Sequence, residues 1–307
     1  MSAGQTTGVL VGSWPLGMPK DPAGFYRRLA RLTEDAGFDS LMVGDHLFAA
    51  GPNPDSLALA ADLAARTETI KIGTAVLQLG LREPVAAAKQ IATIDMMSGG
   101  RFILGVGAGG EFADEWAAAN VPRADRGQRL DEYLELVTQL WSGQPVDHVG
   151  KFRTVQGVTG SPLPGRPGGP QIWVGGRSDA ALRRASRYDG WVAYAASIRR
   201  IRASLEQLGE LLGPRREGFR VAAVIWTYAS TDVAAARAGI EQVLSTRYRQ
   251  DFDHFIDAFC AIGPPAAIGE RIAQFREAGV TDVLLCPQCP AEDFLDQVEV
   301  LNGLVQA

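Results

Sequence analysis

The chain is poor in the residues on which several common protein classes depend. Three cysteines among 307 residues are few and odd in number, which argues against a disulfide framework. No uninterrupted apolar run reaches the ~20 residues that a membrane-spanning helix needs. A positive charge excess is also lacking, since the net charge is −5 and the pI is about 5.4. That balance disfavours nucleic acid and acidic membrane surfaces as partners.

Residues that carry certain kinds of chemistry are scarce as well. The four lysines do not follow strands at their carboxyl ends, which argues against Schiff-base catalysis. No cluster of side chains has metal-ligand spacing, so we expect no metal site. Cys286 and Cys289 form one isolated C-x-x-C, which we interpret as two small residues that close the fold. The amino-terminal residues lack a basic region and a long apolar run, so we expect no signal peptide and a cytoplasmic address.

The sequence does contain a regular alternation of short apolar runs and amphipathic helical segments. We predict strands at residues 9–11, 40–46, 70–76, 101–106, 171–176, 191–195, 221–228 and 281–286. Eight strands that each lead into a helix are typical of parallel pairing through βαβ crossovers. They predict an α/β fold, a (β/α)₈ TIM barrel formed by one domain over residues 1–307, with its active site at the carboxyl ends of the strands. An open doubly wound sheet is the alternative.

One segment interrupts this alternation. Residues 143–170 are rich in glycine and proline and include a predicted hairpin between about Val146 and Val155. The β–α alternation resumes immediately afterwards, so we interpret the segment as an insertion after the fourth β/α unit and not as a domain linker. We expect it to lie over the barrel mouth.

The fourth strand ends in Gly107, Ala108, Gly109 and Gly110, followed by Glu111. Residues 105–110 formally match the dinucleotide fingerprint G-x-G-x-x-G. That fingerprint should open a helix directly and be followed by a strand ending in an acid ~20 residues on, whereas the region near Asp125 is typical of a helix start. We therefore reject a Rossmann site. The glycines either form a tight strand-to-loop turn or let the backbone approach a ligand, and their number favours the second explanation.

Two further strand ends carry candidate site residues. Gly175, Gly176, Arg177 and Ser178 combine a glycine turn, a cation and a helix-capping serine, which indicates an anion site as readily as a plain helix cap. Barrels often bind a phosphate after a late strand, which favours the site. Asp45 and His46 follow the second strand. A lone Asp-His pair is more often structural than catalytic, yet His46 is the best-placed histidine for proton transfer, and Asp45 is able to orient it or to bind a ligand.

With these motifs in place, the chain resembles the bacterial luciferase-like family over essentially its whole length. The matching segments are FDSLMVGDHLF (38–48), KIGTAV (71–76), GGRFILGVGAGGE (99–111), RGQRLDEYLELVTQLW (126–141), PQIWVGGRS (170–178) and IGERIAQFREAGVTDVLL (268–285). The resemblance implies a barrel that binds FMN or the deazaflavin coenzyme F420 in its mouth. The segment VGDHLF looks more like the F420-dependent branch.

The resemblance also implies roles for individual positions. It suggests that residues 107–110 line the cofactor's side chain, that residues 175–178 hold its phosphate, and that Ala75-Val76 matches a non-proline cis peptide behind the ring system. It puts Asp45 and His46 near the reactive ring, with His46 as the acid/base partner of hydride transfer, and makes Glu111 a looser match to a family acid. In the family's sugar-phosphate dehydrogenases a tryptophan closely follows the Asp-His pair. Residues 47–50 lack it here, so that substrate is not transferred.

From this resemblance we expect an F420-dependent oxidoreductase that moves a hydride between the cofactor and a small organic substrate. The first alternative is an FMN-dependent monooxygenase on the same scaffold. The second is a non-catalytic flavin-binding barrel. Relatives of this type suggest a homodimer, and we expect neither a nucleic-acid nor a membrane partner.

Overall fold

The computed structural model describes residues 4–48 and 51–304. Its strands are β1 (Thr6–Val11), β2 (Ser40–Val43), β3 (Lys71–Thr74), β4 (Phe102–Val106), β5 (Pro145–Val149), β6 (Thr154–Thr159), β7 (Gln171–Gly175), β8 (Gly190–Ala193), β9 (Arg220–Ala229), β10 (Cys260–Gly263) and β11 (Asp282–Pro287). Its α-helices are α1 (Pro22–Asp35), α2 (Ser56–Ala65), α3 (Pro84–Met97), α4 (Ala113–Ala118), α5 (Arg126–Leu140), α6 (Asp179–Ala185), α7 (Ile198–Leu212), α8 (Val233–Tyr248), α9 (Asp253–Phe259), α10 (Pro265–Glu277) and α11 (Phe294–Asn302).

Eight of these strands close into a parallel barrel in the order β1-β2-β3-β4-β7-β8-β9-β11, and β11 pairs back onto β1. The closure confirms the predicted TIM barrel and excludes the open sheet. Two elements have no counterpart in the predicted eight-unit pattern. The short strand β10 pairs with β9 outside the barrel, and the short helix α4 directly follows the glycine-rich end of β4.

The helices begin where the sequence supplies caps. Asp21 accepts a hydrogen bond from the main-chain N–H of Gly24 at the start of α1, and Asp55 accepts one from Ala58 at the start of α2. Two apolar layers then form on opposite faces of the sheet. Strand residues such as Leu41 pack outward against the helices, whereas Met42, the next residue, fills the barrel interior. This alternation follows from the two-residue period of a strand.

The segment from 143 to 170 forms the antiparallel hairpin β5–β6 and a return loop. The Glu132 carboxylate on α5 accepts hydrogen bonds from the main-chain N–H groups of Phe152 and Arg153, and Arg153 pairs with Glu83 beside α3. The return loop reaches the opposite end of α3, where the N–H of Arg166 donates to Asp95. These contacts hold the segment beside the barrel against α3 and α5. None of its residues is among those that line the cavity in the mouth.

Within residues 4–48 and 51–304, no helix is both long enough and apolar enough to cross a membrane.

Candidate active site

A cavity of about 500 Å³ opens at the carboxyl ends of the barrel strands. All of the site residues that the sequence predicted lie in its wall: Asp45, His46, Ala75, Val76, Gly107, Ala108, Gly109, Gly110, Glu111, Gly175, Gly176, Arg177 and Ser178. They come from the ends of four strands, β2, β3, β4 and β7, and from the loops that follow them, which the barrel brings together at one mouth.

The floor of the cavity is built around Val76. The peptide bond between Ala75 and Val76 is cis, at the position that the family resemblance indicated. A Cβ atom on Gly107 would lie 2.6 Å from a methyl group of Val76, and one on Gly175 would lie 3.0 Å from its other methyl. These two glycines therefore have a packing role, since they leave the space that the Val76 side chain fills.

The next two glycines are required by the turn itself. Gly109 and Gly110 have φ values of +59° and +105°, which favour glycine. A Cβ atom on Gly109 would also lie only 2.0 Å from the Oε1 atom of Gln78. The glycine-rich segment thus has reasons within the protein for each position named here, so the number of glycines by itself does not indicate a ligand. A ligand site is indicated instead by the position of these residues, whose main chain forms part of the cavity wall.

His46 is held by a carboxylate that the sequence analysis did not single out. Its Nδ1 atom lies 3.1 Å from Oε2 of Glu115, which stands on α4 and is 1% exposed. The other carboxylate oxygen of Glu115 accepts a hydrogen bond from the main-chain N–H of Phe48. The side-chain amide of Gln78 donates to Glu115 Oε2 at 3.3 Å. The ring of His46 is thereby fixed between a strand end and the first turn of a helix.

This contact decides which nitrogen of His46 is available for chemistry. An ionised carboxylate only accepts hydrogen bonds, so the Nδ1 atom that faces Glu115 carries a proton. In the neutral ring Nε2 is then an acceptor, and it has no hydrogen-bond partner in the part of the chain that the structure describes. The imidazole lines the cavity and its side chain is 25% exposed. The geometry is that of a histidine able to take or give a proton at Nε2.

The carboxylate of Asp45 binds neighbours other than the His46 ring. Its Oδ1 atom accepts hydrogen bonds from Ser56 and Arg82, both at 2.8 Å, and its Oδ2 atom accepts one from the main-chain N–H of Gln78 at 2.8 Å. The carboxylate thus ties the end of β2 to the start of α2 and to the loop after β3. The partner of the imidazole is Glu115, so the suggestion that Asp45 orients His46 is replaced by this contact.

Glu111 lies on the exposed rim of the cavity, and no hydrogen bond to its side chain is found among the described residues. Its charge acts on two tyrosines, of which Tyr194 lines the cavity. Tyr194 and Tyr248 form a hydrogen bond between their hydroxyl groups. Burial, followed by smaller effects that include the charge of Glu111, raises the pKa of Tyr194 to about 12 and that of Tyr248 well above its ordinary value. Both tyrosines therefore stay neutral at physiological pH.

The loop at residues 175–178 meets the first turn of α6. Ser178 caps this helix by accepting a hydrogen bond from the N–H of Ala181, and Gly176 has a φ of +133°. The exposed side chain of Arg177 is held by the carbonyl of Ala195. Two further arginines, Arg123 and Arg126, line the same cavity. The structure pairs none of these three guanidinium groups with a carboxylate of the residues it describes.

Several residues that line this wall or hold His46 in it were not found from the sequence: Gln78, Arg123, Arg126, Arg247 and, behind the imidazole, Glu115. Glu115 carried a signal, because acids at Asp114 and Glu115 directly after a glycine turn are typical of the first turn of a helix. The others lie on loops or in a long helix, where their spacing indicates nothing about the cavity. In the region after His46, Leu47 and Phe48 are exposed, and Ala49 and Ala50 lie outside the described residues.

Comparison with known proteins identifies the group to which this barrel belongs. The family model of luciferase-like monooxygenases matches residues 5–282. A Mycobacterium tuberculosis protein, provisionally named a coenzyme F420-dependent oxidoreductase, is 32% identical over 264 residues, which cover 80% of this chain and 73% of that protein. The FMNH2-dependent dimethylsulfone monooxygenase of Pseudomonas putida is 28% identical over 229 residues, covering 72% of this chain and 62% of the enzyme. Three mycobacterial proteins of no stated function match at 34% over 188 residues, and the match spans 64% of their length.

Solved structures agree on the fold. A monooxygenase from Streptomyces bottropensis superposes with a TM-score of 0.85 at 21% identity, covering 98% of each chain. An F420-dependent secondary alcohol dehydrogenase, solved with an F420-acetone adduct, also gives 0.85 at 18% identity, covering 99% of this chain and 98% of the other. The model match over residues 5–282 and the relative at 32% identity establish that this chain belongs to the luciferase-like monooxygenase family.

Proposed function

We propose that the protein is an F420-dependent oxidoreductase that transfers a hydride between the cofactor and a small organic substrate. The observation that carries the proposal is His46, whose ring is fixed by Glu115 while its Nε2 atom is unpartnered in the described chain. A hydride carrier needs a partner that balances the proton, and this imidazole has the required access to the cavity.

The cavity wall fits a deazaflavin cofactor. Its floor is the apolar side chain of Val76 seated between two glycines, a flat support of the kind that a ring system needs. Main chain of residues 107–110 and 175–178 would line the cofactor's polar side chain and phosphate, with Ser178 and Arg177 at the phosphate end. When bound, a deazaflavin gives up or accepts a hydride at one ring carbon.

The residues of the chain divide the remaining work. Glu115 and Gln78 hold the His46 ring in one orientation, so that Nε2 needs no reorganisation before a proton moves. Asp45, through Ser56, Arg82 and the main chain of Gln78, fixes the segment that carries His46. We propose Asp45 and Glu115 as positioning residues, and His46 as the group that holds or moves the proton. Glu111, at the rim, is proposed to contact substrate or cofactor.

Arg123, Arg126 and Arg177, which we call the rim arginines, favour F420 over FMN as the cofactor. F420 continues beyond its phosphate into a chain of carboxylates, whereas FMN ends at its phosphate. Arg123, Arg126 and Arg177 offer cations without carboxylate partners in the described chain, which suits the longer anionic tail. The F420-named relative at 32% identity points the same way. An FMN-dependent monooxygenase is the second candidate, because the FMNH2-dependent relative and a monooxygenase structure share the fold.

The test is a fluorescence titration of the purified full chain with F420 and with FMN. We expect F420 to bind more tightly, and Arg126→Met to weaken F420 by about 10-fold because a charge-assisted hydrogen bond is lost. Arg237→Met is the matched control. It removes the same charge from α8, where Arg237 pairs with Asp253 and Asp257 away from the cavity, and should leave F420 affinity unchanged.

The outcomes separate the candidates. Tighter binding of FMN, with oxygen uptake when reduced FMN is supplied, would move the protein to the monooxygenase side. Binding of neither cofactor would contradict both. Equal loss of F420 affinity in Arg126→Met and Arg237→Met would mean that the rim arginines make no specific contribution to F420 binding.

A further inference from the structure

The cavity wall contains a buried arginine that the proposed hydride transfer does not use. Arg247 stands in the last turn of α8, lines the cavity and is 7% exposed. Its Nη2 atom donates to the main-chain carbonyl of Ser13 at 3.0 Å, and its Nε atom has no partner. Arg247 forms no ion pair with a carboxylate of residues 4–48 and 51–304.

Arg101 is a useful comparison, because its guanidinium group finds hydrogen-bond acceptors for its donors within the protein itself. Arg101, at the opposite end of the barrel, also has no carboxylate partner in the described chain. It donates to five acceptors: the carbonyls of Ala64, Thr67, Ile70 and Ser98 and the hydroxyl of Thr67. Arg247 has fewer: the carbonyl of Ser13, with the hydroxyl of Tyr248 beside the guanidinium. Its Nε–H group has no acceptor among the described residues, and the residue lines the cavity, so this donor remains available to a ligand.

Among the described residues, the titratable side chains found to act on Arg247 are Tyr194, Tyr248 and Cys286, and none of them is negatively charged at neutral pH. Tyr194 and Tyr248 are neutral hydroxyls bonded to each other, and burial raises the pKa of the Cys286 thiol to about 11, so it stays protonated as well. Burial acts to lower the pKa of Arg247, but its interactions with Tyr248, Tyr194 and Cys286, among them a hydrogen bond with Tyr248, leave the pKa above its ordinary value, so the guanidinium keeps its charge. A buried cation without an anion costs free energy, which a bound anion would offset.

The position of this cation relative to His46 indicates which molecule supplies the anion. Phe112 contacts both regions: its ring lies edge-on to His46 at 5.3 Å between centroids, and it packs against Tyr248, the residue next to Arg247. His46 and Arg247 therefore line one cavity, and Phe112 connects the surroundings of the two groups. The rim arginines that suit the cofactor's tail belong to other segments, near α5 and α6.

We infer that Arg247, assisted by the hydroxyls of Tyr194 and Tyr248, anchors a carboxylate of the substrate. This inference rests on the proposed function, since it names the class of substrate that the same cavity takes: a small organic acid that reacts at a carbon on the His46 side. The carboxylate binds two donors of the guanidinium fork, and the bond to Ser13 keeps that fork in place.

The test compares benzoate with benzamide, two probes of the same shape that differ in charge. Their affinities are measured by calorimetry on the purified full chain, once without cofactor and once with F420. We expect benzoate to bind at least about 10-fold more tightly than benzamide, as a charge-assisted fork predicts. Arg247→Met should abolish this preference. Arg237→Met is the control on the same helix and should retain it. Should Arg247→Met not fold, Arg247→Gln replaces it.

Each outcome has one meaning. Equal binding of the two probes by the unaltered protein, or a benzoate preference that survives in Arg247→Met, would overturn the inference. If Arg247→Met loses F420 binding but keeps the benzoate preference, Arg247 binds the cofactor and not the substrate, and this result would also overturn the inference. Because the comparison without cofactor does not depend on F420, a failure of the proposed function leaves a separate signature, the absence of F420 binding by the unaltered chain.

Discussion

The two ends of the barrel treat their charged side chains in opposite ways. At the amino-terminal end of the strands, Glu34 accepts hydrogen bonds from the main-chain N–H groups of residues 68–70, and Asp282 forms a bidentate pair with Arg220. At the carboxyl-terminal end, Arg247 and the rim arginines face a cavity with few protein partners. The polar groups at the first end bind one another and close the fold. At the second end, several cations have no carboxylate partner in the described chain and remain available to a ligand.

This difference separates stability from function by position. Substitutions at the closed end should change the free energy of unfolding and leave cofactor binding alone. Substitutions at the open end should change binding or turnover more than they change stability. Three sets of variants test the separation.

The largest effect is expected at the open end, for His46→Ala. Loss of the proton-transfer group should lower kcat by ~10²–10⁴-fold while F420 affinity stays nearly unchanged. Turnover is measured, with an identified substrate, as the loss or gain of F420 absorbance. His254→Ala, an exposed histidine on α9, is the control and should leave kcat unchanged.

Glu115→Gln sharpens this prediction. It removes the charge beside His46 but keeps an amide oxygen, so kcat should fall less, by ~10–100-fold, as for other residues that orient a functional histidine. The KM of the substrate should change little, since Glu115 is buried behind the imidazole. A His46→Ala variant that retains full turnover would contradict the assignment of the proton to this ring and would favour a binding role for the barrel.

At the closed end, Asp282→Asn should lower the free energy of unfolding by about 3 kcal/mol, because it leaves the guanidinium of Arg220 without its anion in a buried position. Urea unfolding measures the change, and F420 affinity should not move. Asp62→Asn breaks an exposed i,i+4 pair with Arg66 and should cost less than ~1 kcal/mol. Equal losses for the two variants would show that the closed end holds no special share of the stability.

Among the three sets of variants, and apart from the control Asp62→Asn, the smallest effect is expected for Glu34→Gln. Burial acts to raise the pKa of Glu34, but hydrogen bonds from Thr69, Ile70 and Glu68 outweigh it and lower the pKa to about 2. A carboxylate whose pKa is lowered on folding stabilises the protein above its unfolded pKa of about 4.3, and this contribution is lost as the pH falls towards 2. Because the group is partly solvated, the contribution at pH 7 is only ~1 kcal/mol.

The measurement is urea unfolding of the two proteins at pH 7 and at pH 3.5. The difference between the unaltered chain and Glu34→Gln should be present at pH 7 and clearly smaller at pH 3.5. A difference that grows as the pH falls would mean that the hydrogen bonds to Glu34 do not carry the effect.

Local patterns predicted the frame of the molecule. Short apolar runs followed by amphipathic helices predicted eight parallel strands, and the helix cap at Ser178 lies where its sequence signal indicated. Strand limits moved by one to three residues, as for β1, predicted from residue 9 and observed from Thr6. The short elements α4 and β10 were missed, because four to six residues carry too little periodicity to distinguish a turn from a helix or strand.

The sequence by itself determined that this protein is a parallel barrel and which strand ends would meet, because both follow from short-range apolar spacing and from the closure of βαβ units. Only the tertiary structure decided which groups touch. It paired His46 with Glu115, 69 residues away, and left Arg247 without a carboxylate in the described chain, and it placed the hairpin segment beside the barrel. Such contacts depend on loop paths and side-chain directions across the mouth, which no local pattern encodes.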